Sequence, residues 1–157
     1  MIKIVKNFTV SNIFSTFVES LKLLKMKVLT LSIKQKWFDE ILTGKKKSEF
    51  REVRPNNFAK YARFVHLGKE YENDLDVPED NNEITVKAVK YDALKLVTGA
   101  YKDKRPYLIV EVTGADIFFN VDDDGNDIVL KTENGDEYIS TQIEYHLGKI
   151  IEKELYE

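Results

Sequence analysis

The residues best suited to chemistry lie between positions 32 and 54, where cations and a carboxylate recur at short spacing. Lys46, Glu49 and Arg51 form the pattern K-x-x-E-x-R. Glu49 and Arg51 share one face of a strand predicted at Ser48–Val53, because strand side chains alternate. The arginine fork suits a phosphate or a base edge, while Glu49 orients it or accepts from an exocyclic amine. An ion pair within the fold is the structural alternative.

A helix predicted just before this strand places more polar groups nearby. Residues 32–35 read S-I-K-Q, the S-x-x-Q form of a capping box, and the free N–H groups of a helix start attract anions. Lys34 and Lys36 in that first turn interact unfavourably with the helix dipole unless an anion is bound. The alternative is that they are ordinary solvated surface lysines. The predicted binding residues are Lys34, Gln35, Lys36, Lys46, Glu49, Arg51 and Arg54.

Trp37 is a second kind of candidate, because aromatic rings stack on bases in proteins that bind single strands. It also lies on the apolar stripe of the predicted helix, with Ile33 and Ile41, widened by Phe38 and Leu42. That position favours packing in the core. Gly44 is placed to end the helix in the left-handed conformation.

No metal site and no cofactor are predicted. His66 and His146 each open the tetrapeptide H-L-G-K, but they are far apart and lack an evident third ligand. Residues 120–125 partly resemble a calcium loop, yet Lys131 stands where the bidentate glutamate belongs. We predict a hairpin turn there.

Composition indicates one folded domain in a reducing compartment. The chain has 157 residues and no cysteine, which excludes disulfides, thiolate zinc sites and a cysteine nucleophile. No apolar run is long enough to span a membrane, so we expect a cytoplasmic protein without a membrane partner. The net charge of −3 conceals +3 over residues 1–25, +6 over 26–70 and −12 over 71–157. That asymmetry suggests a surface for a polyanion, or attraction between the two halves.

The remaining pattern predicts an α+β fold that is mainly β. Strands are expected at 27–32, 48–53, 84–92, 107–112, 128–132 and 143–151, with a short strand or helical turn at 94–98, an acidic loop at 70–83 and a basic turn at 102–106. Residues 1–25 form an extension, which the spacing of Phe14, Phe17, Val18 and Leu21 predicts to be helical. Three alternatives are open for this extension: translation starts naturally at Met26, the extension packs as an extra helix, or it mediates dimer contacts. Residues 26–157 form the domain.

Residues 29–55 resemble the opening of ASCH domains, which are similar in fold to PUA domains. The family pattern is a strand, a helix with an aromatic residue, then G-x-K-x-x-E-x-R, represented here by Gly44, Lys46, Glu49 and Arg51. The segment Y-H-L-G-K-I-I at 145–151 resembles the final strand of bacterial and phage-borne members. The resemblance implies a small PUA-like β-barrel of about six strands, with one main helix after the first strand. The extra N-terminal helix predicted in residues 1–25 has no counterpart in the family pattern.

The resemblance also implies binding of RNA, of single-stranded nucleic acid or of a modified nucleoside in a basic cleft beside the first helix. Some similar proteins are amidohydrolases of acylated cytidine that use a lysine, a threonine and a glutamate. Lys46 matches that lysine, but Glu49 stands in the place of the threonine. Hydrolysis through Lys46 and Glu49 is therefore one alternative function. A protein-interaction module of a phage or mobile element is another.

Overall fold

The computed structural model describes residues 10–100 and 104–156, which form a mixed α and β fold dominated by strands. Within this part, the helices are α1 at Val10–Lys25, α2 at Gln35–Leu42 and α3 at Phe58–Tyr61, with a 3-10 turn at Asp74–Asp76. The strands are β1 Val28–Ser32, β2 Ser48–Val53, β3 Ala62–His66, β4 Lys69–Tyr71, β5 Ile84–Ala88, β6 Ala93–Val97, β7 Tyr107–Phe119, β8 Val129–Lys131, β9 Glu137–Ile139 and β10 Thr141–Glu154.

The main sheet has the strand order β1-β6-β7-β10-β2. Its first pair, β1 with β6, is parallel, and the other neighbours are antiparallel. The two longest strands, β7 and β10, form the middle of the sheet. β2, which carries the K-x-x-E-x-R motif, is an edge strand held by the first half of β10, where Glu49 lies opposite Tyr145.

The core lies between α2 and the inner face of this sheet. Phe38 and Ile41 of α2 are buried against apolar residues of the strands, which include Leu31, Leu94, Leu96, Val110, Ile143 and Tyr145. Gly44 follows the helix with φ of +76°, so the predicted left-handed ending is confirmed. The predicted strand at Ser48–Val53 is confirmed at both ends.

The prediction of a mainly β mixed fold is confirmed, and the described strands do not close into a single barrel. The strands lie in three open sheets, the others having the orders β4-β3-β5 and β8-β9. About six strands was too low a number, because β3, β4 and β9 were not predicted, and β4 and β9 are only three residues long. Strands this short lack the alternation by which a longer one is detected.

The predicted acidic loop contains structure. It includes most of β4 and the 3-10 turn, and Asp80 binds the buried His66 of β3 through Nε2 at 2.9 Å. This contact lowers the pKa of Asp80 to about 2, mainly through the hydrogen bond with His66. The loop is therefore attached to the three-stranded sheet.

A distal hairpin, defined as residues 118–140, extends beyond the end of the main sheet. The Asp122 carboxylate accepts the backbone N–H groups of Asp124 and Asn126, and Gly125 has φ of +83°. The hairpin turn predicted there is confirmed.

Helix α1 lies within the extension for which a helix was predicted. Residues 1–9, residues 101–103 of the region predicted as a basic turn, and the side chain of Phe14 are outside the described part. In the part that is described, no helix is long and apolar enough to cross a bilayer.

Candidate nucleic-acid interface

Glu49 is the centre of a charged group, the Glu49 cluster, formed with Lys46 and Arg51. Its side chain faces inward from β2 and the residue is only 5% exposed. One carboxylate oxygen lies 2.6 Å from Lys46 Nζ and the other lies 2.8 Å from Arg51 Nη2. The lysine also donates to the Ser48 carbonyl. A buried carboxylate held by two cations is satisfied within the fold, which is the structural alternative foreseen for this motif.

Arg51 connects the motif strand to the start of α2. Its Nη2 donates to the Ser32 carbonyl at 2.9 Å, where β1 ends. Arg105 reaches the same residue, because its Nη2 lies 3.3 Å from Ser32 Oγ and its Nε donates to the Thr98 carbonyl. Two arginines therefore meet at the junction that leads into α2.

The predicted capping box is wrong, although the helix that it announced is present. Ser32 is the last residue of β1, and Lys34 is the N-cap without a side-chain cap bond. The cause is the sheet, since the Ile33 N–H donates to the Val97 carbonyl at 2.9 Å and extends the ladder between β1 and β6. The backbone therefore stays extended through Ile33, and the helix begins only after it.

Gln35 is the first residue of α2 and acts as a support. Its amide oxygen accepts from the Thr98 hydroxyl at 3.3 Å, and its amide nitrogen donates to Asp39 at 2.8 Å. Thr98 is buried, so the bond fixes the helix start to the end of β6. Both polar groups of Gln35 are thus engaged within the fold.

Trp37 projects from α2 to the surface, and the prediction that it packs in the core is wrong. It is 37% exposed, whereas its neighbour Phe38 is buried. Because the helix begins at Gln35, its inward face falls on Phe38 and Ile41. The ammonium of Lys36 lies 4.5 Å from the Trp37 ring centre, and that of Lys46 lies 5.6 Å from it.

Lys34, Lys36 and Trp37 together form an exposed surface that we call the α2 rim. No ion pair to either lysine occurs in residues 10–100 and 104–156. Arg54 is also exposed, but its Nη2 is paired with Glu52 at 2.7 Å. The lysines of the rim are therefore the predicted cations most available to a ligand.

No family model, curated protein or solved structure matches this chain. Its function is accordingly inferred from the residues and their geometry.

Tyr145 lies behind the Glu49 cluster, opposite Glu49 in the sheet, and it was not predicted as a site residue. Burial raises the pKa of Tyr145, and nearby Tyr91 and Tyr61 add to the rise while Arg51 opposes it. Among the described residues, neither the Tyr145 hydroxyl nor Arg51 Nε has a hydrogen-bond partner. The interior side of the cluster is thus aromatic and uncharged.

Two other contributors, Thr98 and Arg105, were also missed as site residues. Both follow from the parallel pairing of β1 with β6, which brings the end of β6 beside Ser32. Arg105 stood in a segment interpreted only as a basic turn. For Thr98, the available sequence signal was a hydroxyl residue directly after an apolar strand.

One cavity adjoins the Glu49 cluster and another lies apart from it. One of about 300 Å³ includes Lys46 and extends to Leu147 and Ile150 of β10. The other, of about 540 Å³, lies under α1, and none of the seven predicted binding residues lines it. The histidines are separate from both, each paired with its own aspartate, His66 with Asp80 and His146 with Asp116. Within the described residues no group of metal-binding side chains occurs.

In this arrangement, some of the predicted binding residues support the fold and others are available to contact a ligand. The Glu49 cluster and Gln35 spend their polar groups on the fold and fix β1, α2 and β2 relative to one another. The α2 rim presents an aromatic face and two ammonium groups to solvent. Such a surface can stack a base and hold a phosphate, while the buried carboxylate has no oxygen free of a cation.

Proposed function

We propose that this chain binds single-stranded nucleic acid, RNA in particular, through the α2 rim, with the Glu49 cluster as its support. The observation that carries the proposal is the exposed Trp37 ring with the ammonium groups of Lys36 and Lys46 within 6 Å of its centre. A base on this ring would have cations beside its own phosphates. A modified nucleoside presents the same stacking face, so it belongs to the same class of ligand.

Three features support this function. The aromatic ring supplies stacking energy that does not depend on base identity. Lys34 and Lys36 lie at the start of α2, where a bound anion relieves their unfavourable interaction with the helix dipole. The first 70 residues carry a net charge of +9 within a chain whose total is −3, so the cations are concentrated in one part of the sequence.

Intrinsic fluorescence provides a direct test, because Trp37 is the sole tryptophan of the chain. Titration with short RNA and DNA oligonucleotides of the same sequence should quench its emission as a base stacks on the ring. Binding should weaken as salt rises, since each phosphate contact with a single strand releases about 0.7 counterion. Unchanged emission together with no complex at low salt would refute the proposal.

A matched pair of variants separates the rim from general basic charge. Lys36 and Lys69 are both exposed, and each places its ammonium over a ring, Trp37 at 4.5 Å and Tyr71 at 5.0 Å. Lys36→Ala should weaken binding and lower the salt dependence, whereas Lys69→Ala should change neither. Trp37→Ala should weaken binding about tenfold or more, the loss expected for one stacked base. Equal effects of the two lysine variants would place the binding surface elsewhere.

Hydrolysis of an acylated cytidine is a weaker candidate. Lys46 and Glu49 lie within hydrogen-bond reach of each other, as a proton-transferring pair requires. Both oxygens of Glu49 are nevertheless held by cations, and a carboxylate stands where similar hydrolases have a threonine. Turnover of N4-acetylcytidine that Lys46→Ala abolishes would establish the activity, and silence across acylated nucleosides would remove it.

We also propose membership of the ASCH family, a PUA-like barrel and a cytoplasmic location. The order β1–α2–β2, with the K-x-x-E-x-R motif at the start of β2, agrees with the resemblance. The absence of cysteine from the sequence suits a reducing compartment. A crystal structure in which the three sheets close around one core would support the barrel, and separate sheets would contradict it.

A further inference from the structure

The apolar stripe of α1, formed by Ile13, Phe17, Leu21 and Leu24, points away from the rest of the chain. These residues lie at i, i+4, i+8 and i+11, which places them within about 80° of arc on a helix of 3.6 residues per turn. All four are exposed, and Phe17 is 59% exposed. Among the described side chains of α1, the stripe is thus an apolar face that is exposed to solvent.

The opposite face of α1 is turned toward the main sheet, and it is more polar. Glu19, Lys22, Leu23 and Met26 line the cavity of about 540 Å³ that separates the helix from β7 and β10. An amphipathic helix that served only its own fold would bury the other face. The orientation of α1 therefore indicates an apolar surface outside its own protomer.

The distal hairpin is a second uncovered apolar surface. Val129 and Ile139 are register partners of β8 and β9, so their side chains are adjacent on one face, and both are exposed. Phe118 and Phe119 at its base are also exposed, one on each face because strand residues alternate. The Val129–Ile139 pair therefore forms a small apolar patch, which lies beside the Lys131–Glu137 ion pair on the same face of the hairpin.

The two surfaces have opposite charge. The distal hairpin contains seven acidic residues and one lysine, a net of −6, whereas residues 1–25 contain four lysines and one glutamate, a net of +3. Pairing of two α1 helices would bring like charges together, while pairing of α1 with the hairpin would bring unlike ones together.

A single protomer cannot make this contact in the observed arrangement. The helix lies beside Glu111 and Val112 of β7, and Phe119 is seven residues farther along the same strand. At 3.3 Å per residue the separation is roughly 23 Å. The stripe also faces away from the main sheet, from whose end the hairpin extends.

We infer that the chain forms a two-fold dimer in which the apolar stripe of α1 from each copy packs on the distal hairpin of the other. The two contacts are equivalent, so the assembly closes and does not continue into a fibre. Apolar burial supplies the affinity, and the charge difference selects the hairpin over a second helix. This contact is independent of the α2 rim, so the nucleic-acid proposal can fail without affecting it.

Light scattering after gel filtration of the full chain, over a range of concentrations, tests the dimer. Phe17→Asp on the stripe and Val129→Asp on the hairpin should each raise the dimer dissociation constant at least about tenfold, as expected when an apolar contact is replaced by a charge. Leu75→Asp is the matched control, because Leu75 is an almost fully exposed leucine in the acidic loop. It should leave the mass unchanged. Far-ultraviolet circular dichroism verifies folding, and Leu24→Asp or Ile139→Asp replaces a variant that fails to fold.

Mixing the two variants distinguishes this dimer from one made by helix pairing. The Val129→Asp chain retains its stripe and the Phe17→Asp chain retains its hairpin, so an equimolar mixture should form a heterodimer through one intact contact. Rising salt should weaken the wild-type dimer. A wild-type chain that stays monomeric at every concentration overturns the inference. A Val129→Asp chain that still dimerises overturns it as well, because the helices would then pair with each other.

Discussion

The two amphipathic helices α1 and α2 are oriented in opposite ways. In α2 the apolar face is covered by the main sheet, with Phe38 only 1% exposed, while Trp37 and the lysines face solvent. In α1 the side chains of Ile13, Phe17, Leu21 and Leu24 face solvent, while Glu19, Lys22 and Leu23 are turned to the sheet.

The difference shows that an amphipathic pattern determines which face of a helix is apolar. It does not determine which surface buries that face. The position of α2 is set by short connections to β1 and β2 and by hydrogen bonds at both ends. Helix α1 is connected to β1 by a short segment at its C-terminal end. We therefore expect α2 to act as a core element and α1 to act as an interface element.

The largest expected effect is the difference in stability between a variant that truncates a phenylalanine of α2 and one that truncates a phenylalanine of α1. Phe38→Ala should lower the free energy of unfolding by about 3–5 kcal/mol, because it opens a cavity in the core. Phe17→Ala should leave it unchanged within about 0.5 kcal/mol when measured at concentrations too low for a dimer. Urea unfolding followed by circular dichroism measures both. Similar losses would mean that α1 packs as tightly as α2.

The next test compares a buried carboxylate with an exposed one on the same strand. Glu49→Gln keeps the shape but leaves Lys46 and Arg51 without their counter-charge, which should cost about 2–4 kcal/mol because both cations are partly shielded from water. Glu52→Gln, which removes the exposed pair with Arg54, should leave the unfolding midpoint unchanged within measurement error. A silent Glu49→Gln would show that the cluster does not support β2.

A smaller effect is expected at the start of α2. Thr98→Val removes the hydroxyl that donates to Gln35 and should cost about 1 kcal/mol, with faster amide exchange in the first turn of the helix. Thr113→Val is a suitable control, since Thr113 is exposed and also donates over 3.3 Å, to the His146 carbonyl. Equal changes would mean that burial of the hydroxyl is irrelevant.

The smallest effect is a pH dependence in the acidic loop, a region that belongs to neither helix. The pKa of Asp80 falls from 3.8 to about 2 on folding, so its stabilisation is complete above pH 3.8 and is lost as pH falls through about 2. Asp80→Asn should therefore be less stable than wild type at about pH 5 and equal to it near pH 2. Glu79→Gln next to it should show no such convergence. A constant difference at all pH values would exclude the His66 contact as the cause.

Local signals in the sequence were sufficient for elements whose structure is decided locally. The strand at Ser48–Val53 has alternating side chains, and Gly44 supplies the positive φ that ends α2. Both were predicted where they occur. The place of Glu49 and Arg51 on one inward face followed from the same alternation.

Long-range pairing explains what could not be predicted. The start of α2 was misplaced because the Ile33 N–H binds Val97, a partner 64 residues away. That shift turned Trp37 outward. Thr98 and Arg105 joined the site through the parallel pairing of β1 with β6, and no local pattern encodes such a pairing.

β2 occupies the edge of the main sheet, and β10, which begins at Thr141, is its hydrogen-bonded neighbour. A chain cut after Ser140 would keep all seven predicted binding residues and still lose the strand that holds Glu49 in place. During translation, the support of the α2 rim therefore forms only when the final strand emerges, after a loop of roughly a hundred residues has closed. A late stop codon would then abolish binding without removing any residue that contacts the ligand.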